Sequence, residues 1–317
     1  MTHKERFINT LLRKKVPGLV PTFELVYFLT MEKFGKVHPV HRHFSQWKQM
    51  SKEEHEAQIT DQAQLYIDIA KAYGHSAIFV QTSLPADRVL TKIRELTGDE
   101  YFLTMHGDPT LDIPTGKTMM ELSERLYEDP EGLIAEQEKS MNGMLEFAQN
   151  INKTGKLLDG FTMCKDYCFN ANPYFSPAIF GEIIAPVLSK CIDSYRSMGF
   201  YTIKHTDGNM MPIVEQIIQC KPDALHSLDP QGGVDLKYMM DKYSDQVAMC
   251  GNVNCAHLQT GTEEEVIADV KRSLKDGMSK GKGFIFCTSN CVYTGMPLHR
   301  YELMMKIWKE HGVYDDF

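Results

Sequence analysis

Apolar and polar positions alternate along this chain between two periods. Short apolar or β-branched runs fall at residues 20–24, 75–81, 101–107, 157–161, 201–205, 224–228, 247–252 and 283–288, and each reads as a strand. Between them, apolar residues recur at helical spacing over residues 52–73, 118–150 with a break near Asp129 and Pro130, 177–198, 211–220, 234–243, 262–278 and 297–311. Thr262 with Glu265 forms a capping box ahead of Val266, Val270 and Leu274. Pro177 and Pro297 suit a first helical turn, where a missing N–H costs nothing.

Strands that alternate with helices imply a parallel sheet with crossover helices. Eight such strands in 317 residues match a (β/α)8 TIM barrel of the α/β class, against the five or six of a doubly wound sheet. The glycine fingerprint G-x-G-x-x-G of the open sheet and the phosphate loop G-x-x-x-x-G-K-[ST] are both missing. The expectation is one barrel domain over residues 1–317, with a helical preface at about residues 1–15. Extra helices are expected in the long stretch 108–156.

Composition narrows the function classes. Apolar residues make up 43% and charged residues 24%, which suits an ordinary globular protein. A net charge of −8 argues against nucleic acid as a partner, because phosphate binding needs clustered Lys and Arg. No stretch approaches the length of a membrane span, and the opening residues lack the apolar core of a signal peptide. A cytoplasmic, reducing setting is therefore expected. In it the eight cysteines, all at position 164 or later, serve as core residues, catalytic groups or metal ligands rather than disulfides.

Barrels of this kind carry their chemistry at the C-terminal ends of the strands. In order, the expected strand ends hold Glu24, Gln81, His106 with Asp108, Asp159, His205 with Asp207, His226 with Asp229, Asn252 with Cys255, and Cys287 with Cys291. His205 and Asp207 are two apart after a strand, so both side chains can turn to one ion. Imidazole and carboxylate are both zinc ligands, and thiolates of Cys287 or Cys291 would arrive from the eighth strand. The alternative is a polar turn in which His205 hydrogen-bonds Asp207 and no metal binds. Glu24, Asp159 and His226 are the candidate catalytic groups, with Asp166 near Asp159; a carboxylate or imidazole in a barrel mouth can orient substrate or move a proton. A capping or turn role is the alternative for each. Cys164 and Cys168 are four apart and read as structural.

Three segments then resemble a known family. Cys250 to Asn254, Leu258 and Gly261 to Val266 are similar to the "GN-V…L…GT-EEV" signature of the uroporphyrinogen decarboxylase superfamily. Gly283 to Phe286 with Gly295, Met296 and Pro297 matches its "G-(Y/F)-I-L…G-x-P", and the opening helix followed by Val20 to Glu24 also fits. The resemblance implies a (β/α)8 barrel with its site in the mouth. Decarboxylases of that family have an arginine-rich segment after the first strand and an essential Asp after the second. Here Glu24 to Leu29 lacks Arg and Phe79 to Ser83 lacks Asp, so a polyacidic substrate would meet Glu24 instead of a guanidinium.

The other branch that the chain resembles comprises zinc-dependent, corrinoid-linked methyltransferases with a His-x-Cys…Cys pattern. His205 matches the histidine, Asp207 stands at the first cysteine, and the last falls near Asn290, beside Cys291. Asp in place of Cys makes a harder site, suited to activating oxygen. The resemblance therefore implies Zn²⁺ at His205 and Asp207 with Cys291 as the nearest thiolate, Cys287 being the further ligand that the strand ends offer, and demethylation of a methyl ether, methanol or a similar small donor. The corrinoid would be carried by a partner protein, since the chain has no "DxHxxG" motif for binding its own. Two alternatives stay open: a decarboxylase-like lyase, and a non-catalytic barrel that binds a partner or small molecule.

Overall fold

The computed structural model describes residues 1–153 and 155–314. Its strands are β1 (Gly18–Leu19), β2 (Ala77–Phe79), β3 (Phe102–His106), β4 (Gly160–Cys164), β5 (Tyr201–His205), β6 (Ala224–His226), β7 (Ala248–Val253), β8 (Phe284–Thr288) and β9 (Val313–Tyr314). Strands β2 to β8 pair in chain order as one parallel sheet of seven strands. Residues 20–24 run between its two edges. The Phe286 N–H donates to the Pro21 carbonyl at 2.9 Å, and the Ser76 N–H donates to the Thr22 carbonyl at 2.6 Å. The first expected strand thus lies in its expected place. It is bonded sparsely, in part because Pro21 has no N–H to give. The architecture is an α/β TIM-barrel-like fold.

Alternation along the strands sorts side chains between the barrel interior and the helix layer. Phe23, Ala77, Phe102, Ile203, Ala224, Ala248, Cys250, Ile285 and Cys287 fill the interior as one apolar cluster. Phe7 and Leu11 of the helix His3–Leu11 join that cluster, so the helical preface packs against the barrel's interior contents. β1 pairs antiparallel with β9 and ties the two chain ends together.

Capping explains where the helices stop. Ser51 and Glu54 form a capping box at the start of Lys52–Tyr73, and Gly74 ends that helix at a φ of 72°, a conformation glycine adopts without steric cost. Asp129 ends Thr118–Glu128, and its side chain accepts from the Gly132 N–H to start Pro130–Ile151. A helix at Ala86–Thr97, absent from the expected elements, links β2 to β3 and buries Val89, Leu90 and Ile93. The fourth strand is displaced from the expected 157–161 to Gly160–Cys164. The Asn152 side-chain oxygen accepts from the N–H groups of Leu157 and Leu158, and that holds these two residues out of the strand ladder. No helix among the described residues is long and apolar enough to cross a membrane.

Candidate metal centre at the barrel mouth

β5 sends Ile203 into the barrel interior and, by alternation, His205 to the same side at its C-terminal end. β4 and β5 are in register with Cys164 opposite His205, so the loop after β4 brings Asp166 to the same place as Asp207 from the loop after β5. His205 Nε2 lies 3.6 Å from an oxygen of Asp166 and 3.6 Å from an oxygen of Asp207. One potential ligand atom from each of the three residues falls within 4.8 Å of the other two. The Asp207 N–H donates to Asp166 Oδ1 at 2.9 Å, which joins the two loops. Asn290 Nδ2 donates to Asp207 Oδ2, while Asp207 Oδ1 is buried with no hydrogen-bond partner.

Two carboxyl groups face the same imidazole here. Burial, the neighbouring Asp166 and the more distant Asp229 push the Asp207 carboxyl up to about 7, against the nearby Ser227 hydroxyl and the hydrogen bond from Asn290. Burial and the Lys204 ammonium push His205 down to about 3, so its imidazole is neutral at ordinary pH. The donor set fits a divalent cation: two carboxylates and a neutral imidazole, one carboxylate oxygen buried without a partner, and like charges that a cation would relieve.

The backbone beneath the cluster is held by one buried cation. Lys204 Nζ donates to Asp108 Oδ2 at 2.8 Å and to the carbonyls of Met163, Lys165 and His205 at 3.2, 2.9 and 2.7 Å. It also lies 4.1 Å from the centre of the Tyr167 ring. Burial raises the cost of charging Asp108, yet Lys204 holds it below the usual carboxylate range. The residues bound by Lys204 flank Asp166 and His205, so this ammonium positions both.

The structure brings together two of the four expected metal ligands, His205 and Asp207, and adds Asp166. Cys287 is a correction: it faces the barrel interior within the apolar cluster and is fully buried. Cys291 lies at the mouth but outside the ligand group, packed with Cys164, Leu25, Val26, Phe28 and Phe79. Burial, aided by Asp207, pushes its thiol up to about 12.

The expected catalytic groups also separate. His226 ends β6 beside His205, with their Nδ1 atoms 2.8 Å apart. Asp159 precedes β4 and so sits at the opposite, N-terminal end of the strands. There it is wholly buried between Lys4 at 2.7 Å and Arg94 at 2.6 Å, and accepts from the Leu103 N–H at 2.9 Å. Glu24 alternates with Phe23 and points into the helix layer, where it lines a small cavity of about 30 Å³ with Tyr66 and Ile69. Burial pushes its carboxyl up to about 8, against hydrogen bonds from the Thr288 N–H and hydroxyl. Sequence spacing could not find Asp166 as a ligand, because the pairing of β4 with β5 that places it is non-local.

Fold and site define a barrel protein with a cation-fitting polar centre at the C-terminal ends of its strands. Residues 114–311 match the uroporphyrinogen decarboxylase (URO-D) family, and the chain belongs to that family. It is similar over 98% of its length to the solved structure of a methyltransferase from Methanosarcina mazei, covering 99% of that chain, with a TM-score of 0.74 and 16% sequence identity. Its likeness to a solved L-ribulose 3-epimerase is far weaker, with a TM-score of 0.43, 10% identity, and coverage of 80% of this chain and 86% of that one. No curated protein matches the chain.

Proposed function

We propose that the chain is a zinc-dependent methyltransferase that moves a methyl group between a small donor and the corrinoid of a partner protein. The observation that carries this reading is the convergence of His205 Nε2 on Asp166 and Asp207, 3.6 Å from each, at the barrel mouth. Membership of the URO-D family and the shared fold of the Methanosarcina mazei methyltransferase support it. Asp166, His205 and Asp207 would hold the ion. Zinc in such a site supplies Lewis acidity toward an oxygen of the methyl donor.

The chain's own groups set the conditions for that chemistry. Burial keeps the His205 imidazole neutral, so one ring nitrogen carries a lone pair, which a cation can take when it lies on Nε2. Asp207, with its carboxyl at about 7, gives up its proton when a cation enters. Oxygen and nitrogen ligands favour an oxygen-bearing donor such as a methyl ether or methanol over a thiol. Leu25, Val26, Phe28 and Phe79 form an apolar patch at the mouth that would keep water from the methyl group.

The test is zinc-loaded protein mixed with cob(I)alamin and either methanol or a methoxylated aromatic, followed by absorbance. Formation of methylcobalamin that depends on zinc and is lost in His205→Ala supports the reading. The same rate with and without protein, for both donors and with bound zinc verified, contradicts it.

A further inference from the structure

His205 and His226 meet nitrogen to nitrogen. Their Nδ1 atoms are 2.8 Å apart, and the two residues are 5% and 0% exposed. Two lone pairs, or two N–H groups, would repel at that distance, so a single hydrogen lies between the rings. Burial disfavours charge on either ring, and each neutral imidazole carries one N–H. Two arrangements satisfy these conditions.

In the first, His226 Nδ1–H donates to His205 Nδ1, and His205 carries its proton on Nε2, facing Asp166 and Asp207. In the second, His205 Nδ1–H donates to His226 Nδ1, and His226 carries its proton on Nε2. Only the second leaves a lone pair on His205 Nε2, the atom that faces both carboxylates at 3.6 Å. An N–H cannot bind a cation. His226 Nε2 is buried and makes no hydrogen bond, and the nearby Thr288 backbone favours a proton on this ring.

We propose that His226 is a positioning residue that sets the tautomer of His205: without a cation the pair adopts the first arrangement, and cation entry drives it into the second. The exchange balances. His205 loses the Nε2 proton and gains one at Nδ1, while His226 loses the Nδ1 proton and gains one at Nε2. This inference rests on the metal centre proposed above and adds the group that makes His205 a ligand. Outer partners of this kind typically change metal affinity by about 10–100-fold when removed.

The experiment uses the full chain with ¹⁵N-labelled histidine. Long-range ¹H–¹⁵N spectra are recorded before and after adding zinc chloride, and zinc affinity is measured by chelator competition for wild type, His226→Leu and His226→Asn. The His205 proton is expected on Nε2 before zinc and on Nδ1 after it. His226→Leu should lose about 10–100-fold in affinity, while His226→Asn, whose amide oxygen can accept from His205 Nδ1–H, stays within about 3-fold of wild type. Zinc that binds without exchanging the tautomer overturns the inference and leaves the metal centre standing. So does a folded His226→Leu with wild-type affinity. Wild type that takes up no zinc overturns both. Should His226→Leu fail to fold, the wild-type spectra and the Asn variant decide alone.

Discussion

Lys204 and Asp108 form an ion pair at 2.8 Å in which both side chains are wholly buried. Each neutralises the other, and the three carbonyls around Lys204 Nζ take up its remaining donors. The pair lies behind the mouth on the helix side of β5, and it couples the position of the Asp166 loop to that of His205. A surface ion pair would not hold two loops in register in this way, because solvent would compete for both charges.

Replacing Lys204 by Met leaves Asp108 buried and uncompensated, which costs about 3–5 kcal/mol. Urea unfolding of Lys204→Met measures this loss directly. The double variant Lys204→Met with Asp108→Leu should recover part of it, since no orphaned charge remains. A single variant within about 0.5 kcal/mol of wild type, the range of an ordinary surface change, would contradict the role assigned to the pair.

Asp207 predicts a pH dependence of opposite sign to that of a salt-bridged carboxylate. Its folded value of about 7 lies above the ordinary 3.8, so between these pH values the folded state holds a proton that the unfolded state has released. Stability of the metal-free protein therefore falls as pH rises through that window, by an amount on the order of 4 kcal/mol from this group. Asp207→Asn should flatten the slope relative to wild type in denaturant titrations at pH 4.5, 6 and 7.5. Zinc should flatten it as well, by holding the ionised carboxylate. An identical slope in wild type and variant contradicts the assignment.

The position of Asp159 separates stability from chemistry. Asp159→Asn breaks its contacts with Lys4 and Arg94 at the N-terminal end of the strands. The expected cost is about 3–5 kcal/mol of stability. Zinc affinity and methyl-transfer rate in the folded fraction should be unchanged. Loss of metal with retained stability would place Asp159 in the centre after all.

Cys291 offers a test of the ligand set. Its thiol is packed in the apolar patch with Cys164 and pushed up to about 12 by burial, outside the group formed by Asp166, His205 and Asp207. Cys291→Ala should bind zinc within about 3-fold of wild type, below the effect of even an outer-shell partner. X-ray absorption of the zinc-loaded chain should show nitrogen and oxygen neighbours near 2.0–2.2 Å and no sulfur near 2.3 Å.

Local chemistry made the helix boundaries legible: Thr262 with Glu265 forms the expected capping box at the start of Glu263–Gly277, and the Asp129–Pro130 break divides the long helical stretch as expected. The helix Ala86–Thr97 carries the same kind of signal in Val89, Leu90 and Ile93, but it follows Pro85 directly and has no side-chain cap to announce it. Strand limits were less legible. Leu157 and Leu158 look like strand residues, yet Asn152 holds them out of the strand ladder, and the resulting shift carries Asp159 from the mouth to the opposite end. The site divides along similar lines. His205 and Asp207 follow from two-residue spacing, whereas Asp166 depends on Cys164 pairing with His205 across strands. Glu24 and Cys287 show the remaining gap: a residue near a strand end faces the mouth only if its parity and depth both allow it.

Calorimetric titration of the metal-free chain with zinc chloride near pH 7.5, compared with His205→Ala, Asp166→Asn and Asp207→Asn, tests the central claim most directly. The account predicts one zinc per wild-type chain. It also predicts that each variant weakens binding by more than the about 10–100-fold that a lost outer-shell partner causes. Absence of binding in wild type, or binding that these three substitutions leave unchanged, would contradict it.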